Sequence, residues 1–169
     1  MKETTAKKKF MWNMAGSLCN SLSSMLLLII VNRISGESRG GFFALAYSTA
    51  QLLFSVGGFE IRPVQSTDIK NKFTFNQYFT SRMLNCIIML ICMIGYIVVN
   101  GYTGVEALTV FWILGYRMVE AVADVYSGLF QQRERIDISG KEMLMRSGIS
   151  TITFTIILWL TDNLLYAAM

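Results

Sequence analysis

Three charged residues lie close together in an otherwise apolar stretch: Arg117, Glu120 and Asp124. At about 100° per residue on a helix, both carboxylates fall within about 60° of the arginine. Each such charge costs about 2.5 to 3.5 kcal/mol near the centre of a bilayer, so this face must point into a helix bundle or an aqueous cavity. Two interpretations are open. Arg117 attracts a polyanion while Glu120 and Asp124 position it or bind a coupling cation, or Arg117 and Glu120 form a structural ion pair that locks helices together.

Two weaker polar faces occur earlier in the chain. The first consists of hydrogen-bonding residues at helical spacing: Asn13, Ser17, Asn20 and Ser24. This face either lines a cavity or forms hydrogen bonds to other helices, each of which contributes about 1 kcal/mol. The second consists mainly of small residues, which predict close helix packing: Ala44, Ser48, Gln51, Ser55 and Gly58. On this second face, Gln51 is the only candidate for contact with a solute.

The composition excludes several kinds of catalytic site. The chain has no histidine, so Ser-His and Cys-His nucleophiles and His-ligated metals cannot be built. Cys19, Cys86 and Cys92 lie in apolar stretches without a CxxC pair, which is typical of packing side chains. We therefore expect neither catalytic residues nor a bound metal.

The elements that must position the charged residues are membrane helices. The 169 residues are 53% hydrophobic and 15% charged, with a mean hydropathy of +0.47. Apolar runs approach the length of about 20 residues that a bilayer crossing needs. We predict an all-α, polytopic transmembrane helix bundle with five complete spans and the start of a sixth. The spans cover about 10–31, 41–59, 77–99, 106–130 and 143–161, and the partial span covers 164–169.

Local signals suggest where these helices begin and end. Pro63 predicts a helix stop after the second span. Residues 74–77 have the spacing of a capping box and predict that the third helix starts near Phe75. Residues 139–142 have the same spacing and predict the start of the fifth helix. A short turn is expected at residues 100–104.

The placement of Lys and Arg predicts the orientation in the membrane. With a cytoplasmic N-terminus, the inside segments hold twelve of the fifteen basic residues and the outside loops hold two. This is the bias of the positive-inside rule. The basic residues are spread over membrane-proximal loops and not gathered on one face, which argues against nucleic-acid binding.

Several strings in the first half of the sequence carry a resemblance to a known family. They are Trp12-Asn13, Gly16-Ser17-Leu18, Val31-Asn32-Arg33-Ile34-Ser35-Gly36, Gly40-Gly41-Phe42-Phe43-Ala44-Leu45-Ala46, and Gly57-Gly58-Phe59-Glu60-Ile61-Arg62-Pro63-Val64-Gln65-Ser66-Thr67-Asp68, followed by Tyr78-Phe79 and Arg82. In these strings the chain resembles polysaccharide-biosynthesis flippases of the multidrug/oligosaccharidyl-lipid/polysaccharide exporter superfamily.

The resemblance implies a MATE-like transporter of two lobes, of which this chain is the first. It implies export of a polyprenyl-pyrophosphate-linked oligosaccharide across the bacterial cytoplasmic membrane by alternating access, for lipopolysaccharide, capsule or exopolysaccharide. No enzymatic activity and no cofactor are expected beyond a coupling H+ or Na+. The expected partners are the lipid-linked oligosaccharide, the bilayer and other polysaccharide-assembly membrane proteins. Because relatives have many more spans, we expect an N-terminal fragment.

On this resemblance, placement assigns the charged residues to the head group. Arg62 and Arg117 would bind the diphosphate, because a diphosphate needs cations. Asp124 or Glu120 would bind the coupling ion.

The remaining candidates would contact the sugars or the released lipid. Asn13, Asn20 and Gln51 offer hydrogen bonds to sugars. Arg33 and Arg39, in the first outside loop, would receive the head group on release.

Three other functions stay open. A helper subunit of another half-transporter would need only the packing faces of spans two and three, and a truncated remnant would have no activity. A cation-coupled drug exporter of the same superfamily should have an acid-rich, aromatic cavity without Arg117. A membrane-embedded transferase would need acidic metal ligands or a general base at the membrane surface, and none is evident.

Overall fold

The computed structural model describes residues 2–68, 70 and 72–169, and within them it contains helices and no strand. This confirms the all-α prediction for the described part of the chain. The helices are α1 (Lys2–Gly58), α2 (Ile61–Thr67), α3 (Phe75–Val99), α4 (Gly104–Gln132), α5 (Ile136–Thr161) and α6 (Leu164–Ala168). The side chain of Lys2, counted in the basic tail, lies outside the described side chains.

Helix α1 is a hairpin of two antiparallel arms that meet at Gly36. Gly36 has φ 84° and ψ 171°, a conformation open essentially to glycine alone. The hydroxyl of Tyr47 lies 3.0 Å from Ser24 Oγ. In a straight helix these two residues would be about 34 Å apart, so the chain has folded back on itself. The first arm (2–35) contains the predicted span 10–31, and the second arm (37–58) contains the predicted span 41–59 except its last residue.

The local start and stop signals had mixed outcomes. Helix α3 begins at Phe75, as predicted, with Gln77 Oε1 accepting a hydrogen bond from the Thr74 backbone N–H at 2.8 Å. The stop at Pro63 is wrong, because α1 already ends at Gly58 and Pro63 lies in the first turn of α2, where no helical N–H is needed. The second capping box is also wrong, because α5 begins at Ile136 and residues 139–142 lie inside it.

One end of the bundle gathers three connections. Lys9 Nζ donates to the Glu134 carbonyl at 2.9 Å, which places the N-terminal segment beside the α4–α5 connection. Gln132 Nε2 donates to the Asp68 carbonyl at 2.8 Å, which adds the α2–α3 connection to the same end. We call this the basic end, because most Lys and Arg residues outside the helices' apolar stretches lie in these connections.

A hydrogen-bonded carboxylate organises the α2–α3 connection. Asp68 accepts from the backbone N–H groups of Lys72 at 2.9 Å and Phe73 at 3.0 Å. The Tyr78 hydroxyl donates to the same carboxylate at 2.9 Å. These bonds, with the Lys72 N–H the largest cause, lower the pKa of Asp68 below its ordinary value.

The opposite end gathers the other connections. Arg39 Nη1 lies 3.1 Å from Asp162 Oδ1, which places the Gly36 turn beside the α5–α6 connection. The rings of Phe42 and Tyr102 are 5.7 Å apart, which adds the α3–α4 turn. Successive connections therefore alternate between the two ends, as the predicted hairpins require.

Within the described residues, three helical segments are long and apolar enough to cross a membrane: Ala6–Gly58, Phe75–Val99 and Ile136–Thr161. Helix α4, which carries Arg117, Glu120 and Asp124, is not among them. The count of basic residues in the connections also needs a correction. Arg82, Lys141 and Arg146 were counted with the connections but lie inside α3 and α5, which leaves nine basic residues at one end against two at the other.

The core joins both arms of α1 to α3, α4, α5 and α6, and α1 makes its most extensive contact with α5. It consists mainly of aliphatic and aromatic side chains, among them Val31, Phe43, Ala50, Leu114 and Leu158, all at most 1% exposed. Many large apolar side chains on the outside of the bundle are exposed, which is the surface that a lipid environment requires.

Candidate functional site

A cavity of about 590 Å³ opens between the arms of α1 and helices α2, α4 and α5. Its polar lining combines three arginines, two carboxylates and several uncharged groups: Asn20, Ser21, Ser24, Tyr47, Ser48, Gln51, Arg62, Arg117, Glu120, Asp124 and Arg146. Six of the nine residues predicted as site residues lie on this wall. We call it the ionic cavity.

A chain of four charged residues, three of which line the cavity, forms one part of the site. Arg117 and Glu120 form the ion pair that their i to i+3 spacing allows, and both side chains are 5% exposed. Arg146 Nη1 lies 2.7 Å from Glu120 Oε1, an ion pair without hydrogen-bond alignment. Arg146 Nε donates to Glu142 Oε1 at 2.7 Å. Two arginines and two glutamates make this group neutral, and it ties α4 to α5.

Arg117 is also held by Tyr47 from the second arm of α1. Its guanidinium lies 4.6 Å from the centre of the Tyr47 ring and donates to the Tyr47 hydroxyl. That hydroxyl donates to Ser24 Oγ on the first arm. Arg117 therefore connects α4 to both arms of α1. The sequence analysis missed Tyr47, although a tyrosine in the middle of a predicted span, away from the membrane interfaces, was an available signal.

A second ionic group surrounds Asp124. Arg62 Nη1 lies 2.8 Å from Asp124 Oδ1, and Arg82 Nη2 lies 2.9 Å from Asp124 Oδ2. Arg62 Nε also donates to Gln131 Oε1 at 3.3 Å, and Arg82 Nη1 donates to the Gly57 carbonyl at 2.8 Å. Two arginines and one aspartate give this group a net charge of +1. Arg82 was missed as a site residue because it was counted with a loop, although it lies within predicted span 77–99.

The second arm packs through a different face from the one predicted. Its buried face includes Phe43 and three residues with a small or absent side chain, Ala46, Ala50 and Gly57. Ser48 and Gln51, which were assigned to the packing face, are exposed to the ionic cavity. Both faces carry small residues at helical spacing, so composition alone did not distinguish them.

Three predicted site residues lie away from the cavity. Asn13 lies where the first arm crosses α5, with its Cα facing Gly140. Arg33 is exposed near the Gly36 turn, and Arg39 pairs with Asp162 at the same end. The structure therefore does not bring these three together with the other six.

The acidic residues of the cavity are already engaged by cations. Glu120 contacts Arg117 and Arg146, and Asp124 contacts Arg62 and Arg82. Among the described residues, no group of three or more His, Cys, Asp or Glu side chains is arranged to hold a metal ion. A coupling cation at either carboxylate would have to displace an arginine, so this wall suits anions better.

A second cavity of about 330 Å³ adjoins the first. The two cavities share Asn20, Tyr47 and Arg117, so the Arg117–Tyr47 contact lies on the wall between them. Apart from Arg117 and Asn20, the second cavity is lined by apolar side chains and hydroxyl groups. The charge of the site is thus concentrated on the side of the basic end.

Comparisons with protein-family models, with curated proteins and with solved structures find no match for this chain.

Proposed function

We propose that this chain is a membrane flippase component that moves a polyprenyl-pyrophosphate-linked oligosaccharide across the bacterial cytoplasmic membrane. The observation that supports this most is the ionic cavity, which places Arg62, Arg117 and Arg146 on one wall with uncharged hydrogen-bonding groups. Arginine is the side chain best suited to phosphate, because its planar fork donates two parallel hydrogen bonds. The chain acts as a transporter and not as an enzyme.

The wall suits the separate parts of such a substrate. The guanidinium groups attract the diphosphate, and the amides of Asn20 and Gln51 with the neighbouring hydroxyls offer hydrogen bonds to the sugars. The lipid tail remains in the bilayer beside the exposed apolar side chains. A cation-coupled drug exporter is a weaker candidate, because both carboxylates of the cavity are already paired with arginines and its lining charges sum to +1.

In the membrane, we propose five spans: the two arms of α1, followed by α3, α4 and α5. Helix α4 crosses with its charged face toward the ionic cavity, which spares those charges contact with lipid. The basic end is cytoplasmic, in accordance with the positive-inside rule. Alternating access then requires a facing wall, supplied by further helices or by a partner membrane protein.

The test is a flipping assay in proteoliposomes with a fluorescent, short-chain polyprenyl-pyrophosphate oligosaccharide, in which an external quencher reports the leaflet. Arg117→Ala should abolish the rate, and Arg117→Lys should retain part of it because the charge remains without the fork. Arg133→Ala, an exposed arginine at the basic end, serves as the matched control. An unchanged rate for Arg117→Ala at equal expression would remove Arg117 from the site.

A further inference from the structure

The two ionic groups of the site differ in net charge. The Arg117 group is neutral, because Glu120 and Glu142 balance Arg117 and Arg146. The Asp124 group has a net charge of +1, and its two members that line the cavity, Arg62 and Asp124, are 23% and 17% exposed. An incoming anion is therefore attracted more strongly to the Asp124 group, because that group has a cation without a compensating carboxylate.

Both arginines of the Asp124 group are held in place by bonds that do not depend on the aspartate. Arg82 donates to the Gly57 carbonyl, and Arg62 donates to Gln131. Arg82 is fully buried, and its Nε has no hydrogen-bond partner in the described part of the chain. The pair is thus pre-organised and retains unused donor capacity for a larger anion than a carboxylate.

Asp124 lies between this pair and the cavity. Arg62 and Asp124 line the ionic cavity, whereas Arg82 does not line it and contacts the Asp124 carboxylate at 2.9 Å. We propose that Asp124 is a resident anion: it occupies a phosphate site made by Arg62 and Arg82, and a pyrophosphate group must displace it to bind. This inference rests on the proposed function in identifying that pyrophosphate with the head group of the lipid.

The test measures the binding of inorganic pyrophosphate to the purified chain in nanodiscs by isothermal titration calorimetry. Asp124→Asn removes the competing charge and keeps the shape, so the affinity should rise at least about tenfold. Asp137→Asn is the matched control, because it makes the same change at a carboxylate paired with Arg135 away from the cavity. An unchanged or weaker affinity in Asp124→Asn would overturn the proposal.

A second variant covers the case in which Asp124→Asn does not fold. Arg62→Gln keeps the buried Asp124–Arg82 pair and removes one fork of the phosphate site, so pyrophosphate affinity should fall at least about tenfold. Arg135→Gln is its control and should bind as the wild type does. Wild-type affinity in a folded Arg62→Gln would contradict the proposed site.

The same titrations with a polyprenyl pyrophosphate in the nanodisc distinguish the two sources of the anion. If Asp124→Asn binds both ligands more tightly than the wild type does, the site is one for the lipid head group. If it binds only inorganic pyrophosphate more tightly, the site is one for free phosphates, and the assignment of the site to the lipid is overturned. Tighter binding without any flipping supports the resident anion and refutes the proposed function. Flipping without tighter binding refutes the resident anion and leaves the proposed function in place.

Discussion

Replacing Gly140 with alanine should force α5 away from the first arm of α1. A Cβ at Gly140 would lie 2.4 Å from the Trp12 carbonyl oxygen and 2.5 Å from the Asn13 Cα. A Cβ at Gly16, on the facing side, would lie 2.1 Å from the Gly140 carbonyl oxygen. These neighbours are backbone atoms and cannot rotate away, so the two helices themselves must separate.

The separation follows from the contact distances. Ordinary van der Waals contacts of a Cβ begin at 3.4 Å, so the shortfall at Gly140 is 1.0 Å (3.4 minus 2.4) and at Gly16 it is 1.3 Å (3.4 minus 2.1). Overpacking of this kind costs about 1–3 kcal/mol. Because α5 also carries Arg146, a displacement of this size would stretch its 2.7 Å contact with Glu120 and disturb the wall of the ionic cavity.

The assay is unfolding of the detergent-solubilised protein, followed by circular dichroism as temperature or SDS is raised. Gly148→Ala is the control on the same helix, because a Cβ there meets nothing within 4 Å. It should stabilise the helix by about 0.5–1 kcal/mol, so the two alanine variants should shift stability in opposite directions. Equal stability of Gly140→Ala and Gly148→Ala would refute the close crossing of α1 and α5.

Three further perturbations test other parts of the fold. Glu120→Ala leaves Arg117 and Arg146 without their shared carboxylate and should lower the free energy of unfolding by about 3–5 kcal/mol. A decrease below about 1 kcal/mol in the same unfolding assay would mean that water or lipid reaches the two arginines. Gly36→Ala should lower the free energy of unfolding by about 1–3 kcal/mol, because Gly36 has a positive φ. Gly41→Ala is the control and should not lower it, because a Cβ there meets nothing within 4 Å. Thermal unfolding of both variants measures the difference. The lowered pKa of Asp68 means that its stabilising bonds are fully present above the ordinary pKa and are lost as pH falls through the lower folded-state value. The stability difference between wild type and Asp68→Asn should therefore shrink from about pH 7 to about pH 3, and a constant difference would contradict the assignment.

The features that could be predicted from the sequence are those set by residues near one another in the chain. Long apolar runs predicted an all-helical bundle, and the capping residues before Phe75 predicted the start of α3, because both depend on neighbours within a few positions. The periodicity of α4 placed Arg117, Glu120 and Asp124 on one side, and all three line the ionic cavity.

A similar local signal gave a wrong helix start, because capping-box spacing also occurs inside a helix. Residues 139–142 have capping-box spacing, but α5 continues through them because Gly140 packs backbone to backbone against the first arm of α1. Tertiary packing therefore overrides the local preference of the chain at this position.

The long-range partners of the charged residues were decided by the tertiary structure alone. Asp124 contacts Arg62 and Arg82 from two other elements, and Glu120 adds Arg146 from α5 to the local pair with Arg117. These contacts depend on how each helix is rotated and where it crosses its neighbours, which is set by the summed packing of distant residues. A sequence period defines a polar face, whereas the crossing of helices determines which charges that face meets.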